Sequence, residues 1–193
     1  MAEPETLSHP QLSATSPGWR PGDDRPDVES MLRVDQAGEY GATRIYAGQL
    51  AALGDSQPAS RLIAHMASQE QRHLRHFDEL LAERGVRPTL LQPLWRVAGH
   101  ALGVTTGLIS PAAAMACTAA VEDEIDLHYS EQLHALGTDH PELAATIGEF
   151  QADERAHRET AIEAGAEDSF GYPILYSAIR AGCRIAIELS KRI

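Results

Sequence analysis

With 193 residues, of which 43% are hydrophobic and 23% charged, the chain has room for one domain with a substantial core and an ordinary globular composition. A net charge of -12 argues against a nucleic-acid partner, which would need a basic face. Two cysteines, Cys117 and Cys183, lie far apart with no Cys-x-x-Cys, so neither a disulfide framework nor a structural zinc site is expected and a reducing cytoplasm is the natural setting.

Residues 1–26 hold five of the 11 prolines (Pro4, Pro10, Pro17, Pro21, Pro26) among Ser, Asp and Glu, without a secretory or transit pattern. They are expected to form a disordered tail ahead of one folded domain over residues 27–193. Beyond the tail, Pro and Gly punctuate the chain at helical lengths. One helix is expected from about Asp27 to Leu53 with Gly54 as its stop, and a second from near Pro58 to Gly85. Between Arg96 and Glu122 there follow 25 residues without Asp, Glu, Lys or Arg, but with His100, Thr105, Thr106, Gly107, Ser110 and Pro111 among them. This run reads as a short apolar helix from Leu90 to Leu108 that can lie on or dip into a membrane, a break, and a core helix capped by Ser110-Pro111 and ending before Gly137. His140-Pro141-Glu142 opens the next helix and Gly165 closes it. Pro173 begins a last helix in which Ile174, Leu175, Ile179, Ile185 and Ile187 are apolar, while Arg180, Arg184, Lys191 and Arg192 outweigh Glu188. Such a basic amphipathic helix suits an anionic membrane surface, with packing on the bundle or on a second subunit as the alternative. No alternating strand pattern occurs, and the fold class is all-α.

One short motif repeats on these helices. Glu70 and His73, and again Glu154 and His157, are three residues apart, so on a helix each pair can grip one metal ion from the same face. Glu39 lies 31 residues before Glu70, and Glu122 lies 32 before Glu154. Four helices that supply two lone Glu and two Glu-x-x-His pairs carry the ligand set of the di-iron and di-manganese carboxylate bundles. At 100° per residue, Glu70 and His73 sit on a stripe with Ile63, Met66, Ala67, Leu74, Phe77 and Leu81, and Glu154 and His157 sit on one with Ile147, Phe150 and Ala161. Glu39 shares a face with Leu32, Ala42 and Tyr46, and Glu122 with Cys117 or Thr118 and Tyr129. Carboxylates on apolar stripes must be paired or metal-bound, because an isolated buried charge is very costly. A single Glu-x-x-His is more often an ordinary surface pair, and Glu131–His134, about 180° from Glu122, reads as one. Asp153 either orients a ligand imidazole through its second nitrogen or stands solvated, and Tyr46 reads as a plain core tyrosine.

The stretches LRVDQAGEYGATRIYAGQL (32–50), MASQEQRHLRHFDELL (66–81), AAVEDEIDLHYSEQL (119–133), DERAH (153–157) and IRAGCRIAIELSKRI at the C-terminus resemble the demethoxyubiquinone hydroxylase family of ubiquinone biosynthesis. The resemblance covers residues 28–193. It implies a ferritin-like four-helix bundle with additional membrane-associated helices, and an O2-dependent di-iron monooxygenase acting on the ring of a polyprenylated demethoxyubiquinol. It places six iron ligands at Glu39, Glu70, His73, Glu122, Glu154 and His157. Glu70 and Glu154 would bridge, Glu39 and Glu122 would be terminal or shifting ligands, and the histidines terminal nitrogen donors. These four carboxylates, with Tyr129, are the candidate catalytic residues, and Tyr129 or His128 is the candidate for contact with the quinol. Two electrons must come from outside, with NADH or the quinol itself as the family's candidates; no Rossmann glycine pattern is present to bind a nucleotide. The implied setting is the cytoplasmic side of a bacterial-type cell membrane, bound peripherally, as a homo-oligomer or within a quinone-synthesis complex. One departure is Glu188, where the family often carries an aromatic residue, and an electron route through that position is in doubt here. Three other readings compete. A ferritin-type ferroxidase is disfavoured by the charge-free run and the cationic apolar tail. A tRNA-modifying di-iron hydroxylase is disfavoured by the acidic balance. A membrane-attached scaffold of a quinone-synthesis complex would hold its metal for structure only.

Overall fold

A computed structural model describes residues 27–192 as six α-helices and one 3-10 turn. The helices are α1 (Val28–Leu53), α2 (Pro58–Arg84), α3 (Gln92–Ile109), α4 (Pro111–Leu136), α5 (Pro141–Glu163) and α6 (Tyr172–Ser190), with the 3-10 turn at Ala166–Asp168. The expected tail over residues 1–26 lies outside the described residues. The punctuation seen in the sequence sets the helix ends. Proline stands in the first turn of α2, α3, α4, α5 and α6, where its missing N–H costs nothing. Asp27 caps α1 by accepting from the Ser30 N–H at 3.0 Å. Gly85 ends α2 in the left-handed region at φ 65° and ψ 23°, which glycine adopts without a Cβ penalty. The apolar stretch is divided at Ser110, whose extended backbone ends α3 and whose hydroxyl accepts from the Ala113 N–H at 3.0 Å to start α4. A single residue joins the two helices.

The bundle proper is α1, α2, α4 and α5. One apolar cluster gathers Leu32, Phe77, Tyr129, Leu136 and Ile147, from the start of α1, the ends of α2 and α4 and the start of α5. A second gathers Tyr46, Ile63, Met115 and Ala161 from the opposite ends of the same helices. Helices α1 and α5 therefore run one way and α2 and α4 the other, with α3 as the crossover that carries the chain back along α1. This is the connectivity of ferritin-like bundles.

Crossover helix α3 lies unusually close to α1. A Cβ at Gly103 would stand 2.0 Å from the Ile45 carbonyl oxygen, and one at Gly48 would stand 2.3 Å from that of His100. Glycine is required where the two backbones touch. Helix α6 runs along α4, and its Arg180 and Arg184 pair with Glu124 while Arg180 also reaches Asp123. Half of the basic residues that suggested an anionic surface for this helix are thus engaged by α4. No helix among the described residues is long and apolar enough to cross a membrane.

Candidate metal centre

Between the two apolar clusters, the four bundle helices turn polar side chains toward one another. Glu39 of α1, Glu70 and His73 of α2, Glu122 of α4, and Glu154 and His157 of α5 are all at most 2% exposed. Their ligand atoms form two overlapping groups, Glu39, Glu70, His73 and Glu154 on one side and Glu70, Glu122, Glu154 and His157 on the other, each with its atoms within 4.8 Å of one another. Glu70 and Glu154 belong to both. His73 Nδ1 lies 3.1 Å from Glu154 Oε1 and 3.6 Å from Glu39 Oε2, while His157 Nδ1 lies 3.0 Å from Glu70 Oε1 and 3.1 Å from Glu154 Oε2. The three-residue spacing has done what helix geometry requires, setting each Glu and its His on the same inner face.

The cluster asks for cations. Both oxygens of Glu70, one oxygen each of Glu39, Glu122 and Glu154, and His73 Nδ1 are buried without a hydrogen-bond partner. Buried polar atoms are rarely left so, because the desolvation cost is uncompensated. Burial and the repulsion of neighbouring carboxylates raise Glu70 and Glu122 well above the ordinary carboxylate range, and burial also raises Glu154. Burial works against the charge on Glu39 as well, and is the largest single influence, but His73, Glu70 and Tyr129 together outweigh it and the net shift is downward. His73, despite burial, is pushed up to about 10 by Glu154 and Glu39, whereas burial lowers His157. Four carboxylates would be neutralised by two divalent ions, and this oxygen-rich set with two imidazoles suits iron or manganese.

Around the cluster, further groups hold the ligands. Tyr46 Oη donates to Glu122 Oε1 and Tyr129 Oη to Glu39 Oε1, both at 2.5 Å. Tyr46 is therefore not a plain core residue; an apolar stripe buries a tyrosine whether or not its hydroxyl has a carboxylate to meet. Tyr129 is 1% exposed and its hydroxyl is committed to Glu39. Asp153 Oδ2 meets His73 Nε2 at 3.0 Å, the orienting role open to it from the sequence, but on the histidine of the other motif. Gln69 Oε1 stands correspondingly against His157 Nε2 at 3.2 Å, and Phe150 stacks on His73 at 4.0 Å. The sequence reading passed over Gln69, although its place before Glu70 matches that of Asp153 before Glu154. His128 belongs to a separate buried group, 3.4 Å from Asp35 Oδ1 and 2.9 Å from the Gln132 amide nitrogen, which also donates to Asp35. Glu131 and His134 are exposed, as the helix geometry required.

On the side of α1 and α4 that faces α3 and α6 lies an apolar cavity of about 480 Å³. Gly38, Gly41 and Ala42 flank Glu39 along it, Val121 adjoins Glu122, and Leu102 of α3 and Ile179 of α6 form opposite walls. At one end Trp95 Nε1 donates to Ser190 Oγ at 3.1 Å. Outside the cavity the two helices expose large apolar side chains, among them Val97 and Leu108 of α3 and Ile174 and Ile185 of α6. In each helix these are eleven residues apart, about three turns, and so share a stripe.

The chain is similar in sequence to three hydroxylases. The chain is 47% identical to the 3-demethoxyubiquinol 3-hydroxylase of Rhodospirillum rubrum over 98% of its own length and 90% of that protein's. It is 46% identical to the human NADPH-dependent 3-demethoxyubiquinone 3-hydroxylase, mitochondrial, over 88% of this chain and 79% of the other. For the 5-demethoxyubiquinone hydroxylase, mitochondrial, of Saccharomyces cerevisiae the figures are 41%, 86% and 78%. The family model described as ubiquinone biosynthesis protein COQ7 matches residues 26–190, and with these relatives it establishes that the chain belongs to that family.

Proposed function

We infer that the protein is an O2-dependent monooxygenase that hydroxylates the ring of a polyprenylated demethoxyubiquinol in ubiquinone biosynthesis, the activity for which its relatives are named. The observation that carries this reading is a buried Glu/His cluster beside an apolar cavity whose wall includes the sequence neighbours of Glu39 and Glu122. In balance, a ring C–H becomes C–OH, the second oxygen atom leaves as water, and two electrons and two protons come from outside. A reduced nicotinamide is the donor suggested by the name of the human relative, which is NADPH-dependent; the family resemblance implies NADH or the quinol itself.

Glu39, Glu70, His73 and Glu154 would hold one iron, and Glu70, Glu122, Glu154 and His157 the other. A ferrous pair bound there would supply the redox capacity and open coordination positions that O2 chemistry needs. The chain's own groups do the rest. Tyr46 and Tyr129 remain neutral donors, since burial and the adjacent carboxylates push their phenols well up, and they fix Glu122 and Glu39 in place. The cavity takes the apolar ring and the first units of the tail and keeps water away from the reacting carbon.

The exposed stripes of α3 and α6 flank the cavity, and through them the protein would rest peripherally on the membrane that holds its substrate, the cytoplasmic face of the cell membrane in a bacterium. A second copy or a quinone-synthesis complex could cover the same face.

Metal content and turnover of anaerobically purified protein, beside Glu154→Ala, test the reading. Two irons per chain, lost in the variant, with O2-dependent hydroxylation of demethoxyubiquinol are expected. Two irons with ferrous oxidation alone would mean a ferroxidase, and iron needed only for folding would mean a scaffold.

A further inference from the structure

The two ligand groups look symmetric, but what stands behind their histidines is not. The tyrosines match, Tyr129 on Glu39 and Tyr46 on Glu122 at the same 2.5 Å. Behind His73 Nε2 stands the carboxylate of Asp153 at 3.0 Å, whereas behind His157 Nε2 stands the neutral amide of Gln69 at 3.2 Å. A charged acceptor holds the proton on the outer nitrogen more firmly and makes the inner one a stronger donor to a metal. Arg72 approaches Asp153 only at 4.0 Å with its own side chain 57% exposed, too screened to cancel that charge. The faces of the two rings differ as well. Phe150 stacks on His73 at 4.0 Å and is itself packed edge-on against Phe77 at 5.5 Å. Phe150 lies four residues before Glu154; the residue four before Glu70 is Met66, a flexible side chain that cannot stack. His73 is thus held at its edge and on its face.

We propose that the two metal positions fill in order, the His73 position first and the His157 position second, with Asp153 as the positioning residue that sets the order. This rests on the metal-centre reading above. Loss of such an outer partner typically lowers metal affinity 10- to 100-fold, so the two steps should be separated by about tenfold or more. A chain given one ion should therefore carry it at His73 rather than share it between both sides.

Zinc, a diamagnetic probe, tests this in full-length protein with ¹⁵N-labelled imidazoles. With one Zn(II) per chain the ring nitrogens of His73 should shift while those of His157 stay in place, and the second equivalent should move His157. In Asp153→Asn the first step should weaken 10- to 100-fold and the two histidines should respond together. Gln69→Glu should strengthen the second step and leave the first unchanged. A side chain that only supported the fold would alter melting and leave the order of filling as it was. His157 responding first, both responding in parallel in the unaltered protein, or an unchanged order in Asp153→Asn would overturn the proposal. No zinc response at either ring would instead overturn the metal-centre reading beneath it.

Discussion

Between α1, α2, α4 and α5, four carboxylates and two imidazoles are almost fully buried, while along α3 and α6 Val97, Leu108, Ile174 and Ile185 are 62–78% exposed. The two regions reverse the usual partition of polar and apolar groups in opposite directions. They also differ in grain. In the centre, every atom has one place set by four rigid helices, and a partner there must match positions to tenths of an ångström. On the outer layer apolar area adds up side chain by side chain, so each loss weakens a contact without abolishing it. The centre should therefore fail abruptly under substitution and the outer layer by degrees.

The largest expected effect is at the centre. Glu70→Ala removes a carboxylate shared by both ligand groups, and metal content should fall from two ions to none, with hydroxylation lost. Retention of a full metal complement, measured on the purified variant, would erase the contrast. On the outer layer, Val97→Glu or Ile185→Glu should each weaken binding to lipid vesicles roughly 10- to 100-fold, since burying such a side chain contributes about 1.5–3 kcal/mol. Flotation with vesicles reads this, and melting of the variant should barely move. Vesicle binding unaffected in both variants would place the membrane contact elsewhere. Tyr46→Phe should have a smaller effect at the centre: a hydrogen bond to a charged group is worth about 1.5–3 kcal/mol, and the loss should weaken the Glu122 side of the site while the fold stands. A metal titration that shows both steps equally weakened would mean that Tyr46 acts on the whole bundle.

The smallest effect concerns the metal-free protein. Glu70, Glu122 and Glu154 are raised from 4.5, and His73 is raised from 6.5 to about 10, so over neutral and mildly alkaline pH the folded chain binds more protons than the unfolded one. Stability contributed by raised groups is present at low pH and is lost as pH rises through the folded values. Melting temperature of the metal-free protein should decline from about pH 6.5 to pH 9, by a few degrees, and metal should abolish the decline. A rise over that range would contradict the assigned shifts.

The ligand cluster was legible in the sequence because it depends on helix periodicity alone: three-residue spacing sets Glu and His on one face, and Pro and Gly mark where each helix begins and ends. What was not legible depends on contacts between helices. Tyr46 shares the stripe of Glu39 yet serves Glu122 on α4, and no periodicity within α1 can show that. Asp153 likewise serves His73 across the bundle rather than His157 on its own helix. That the glycines of α3 bring its backbone against Ile45 and Gly48 required the path of the crossover.

That crossover has a kinetic consequence. Each ligand group draws on both halves of the chain, and the shared residues Glu70 and Glu154 are 84 positions apart, with α3 between them. Each half supplies three of the four residues of one group and needs the fourth from the other half, so neither group is complete until the halves have docked. A metal ion held by both groups would act as a removable cross-link closing a long loop, and would lengthen the lifetime of the native state more than it hastened its formation.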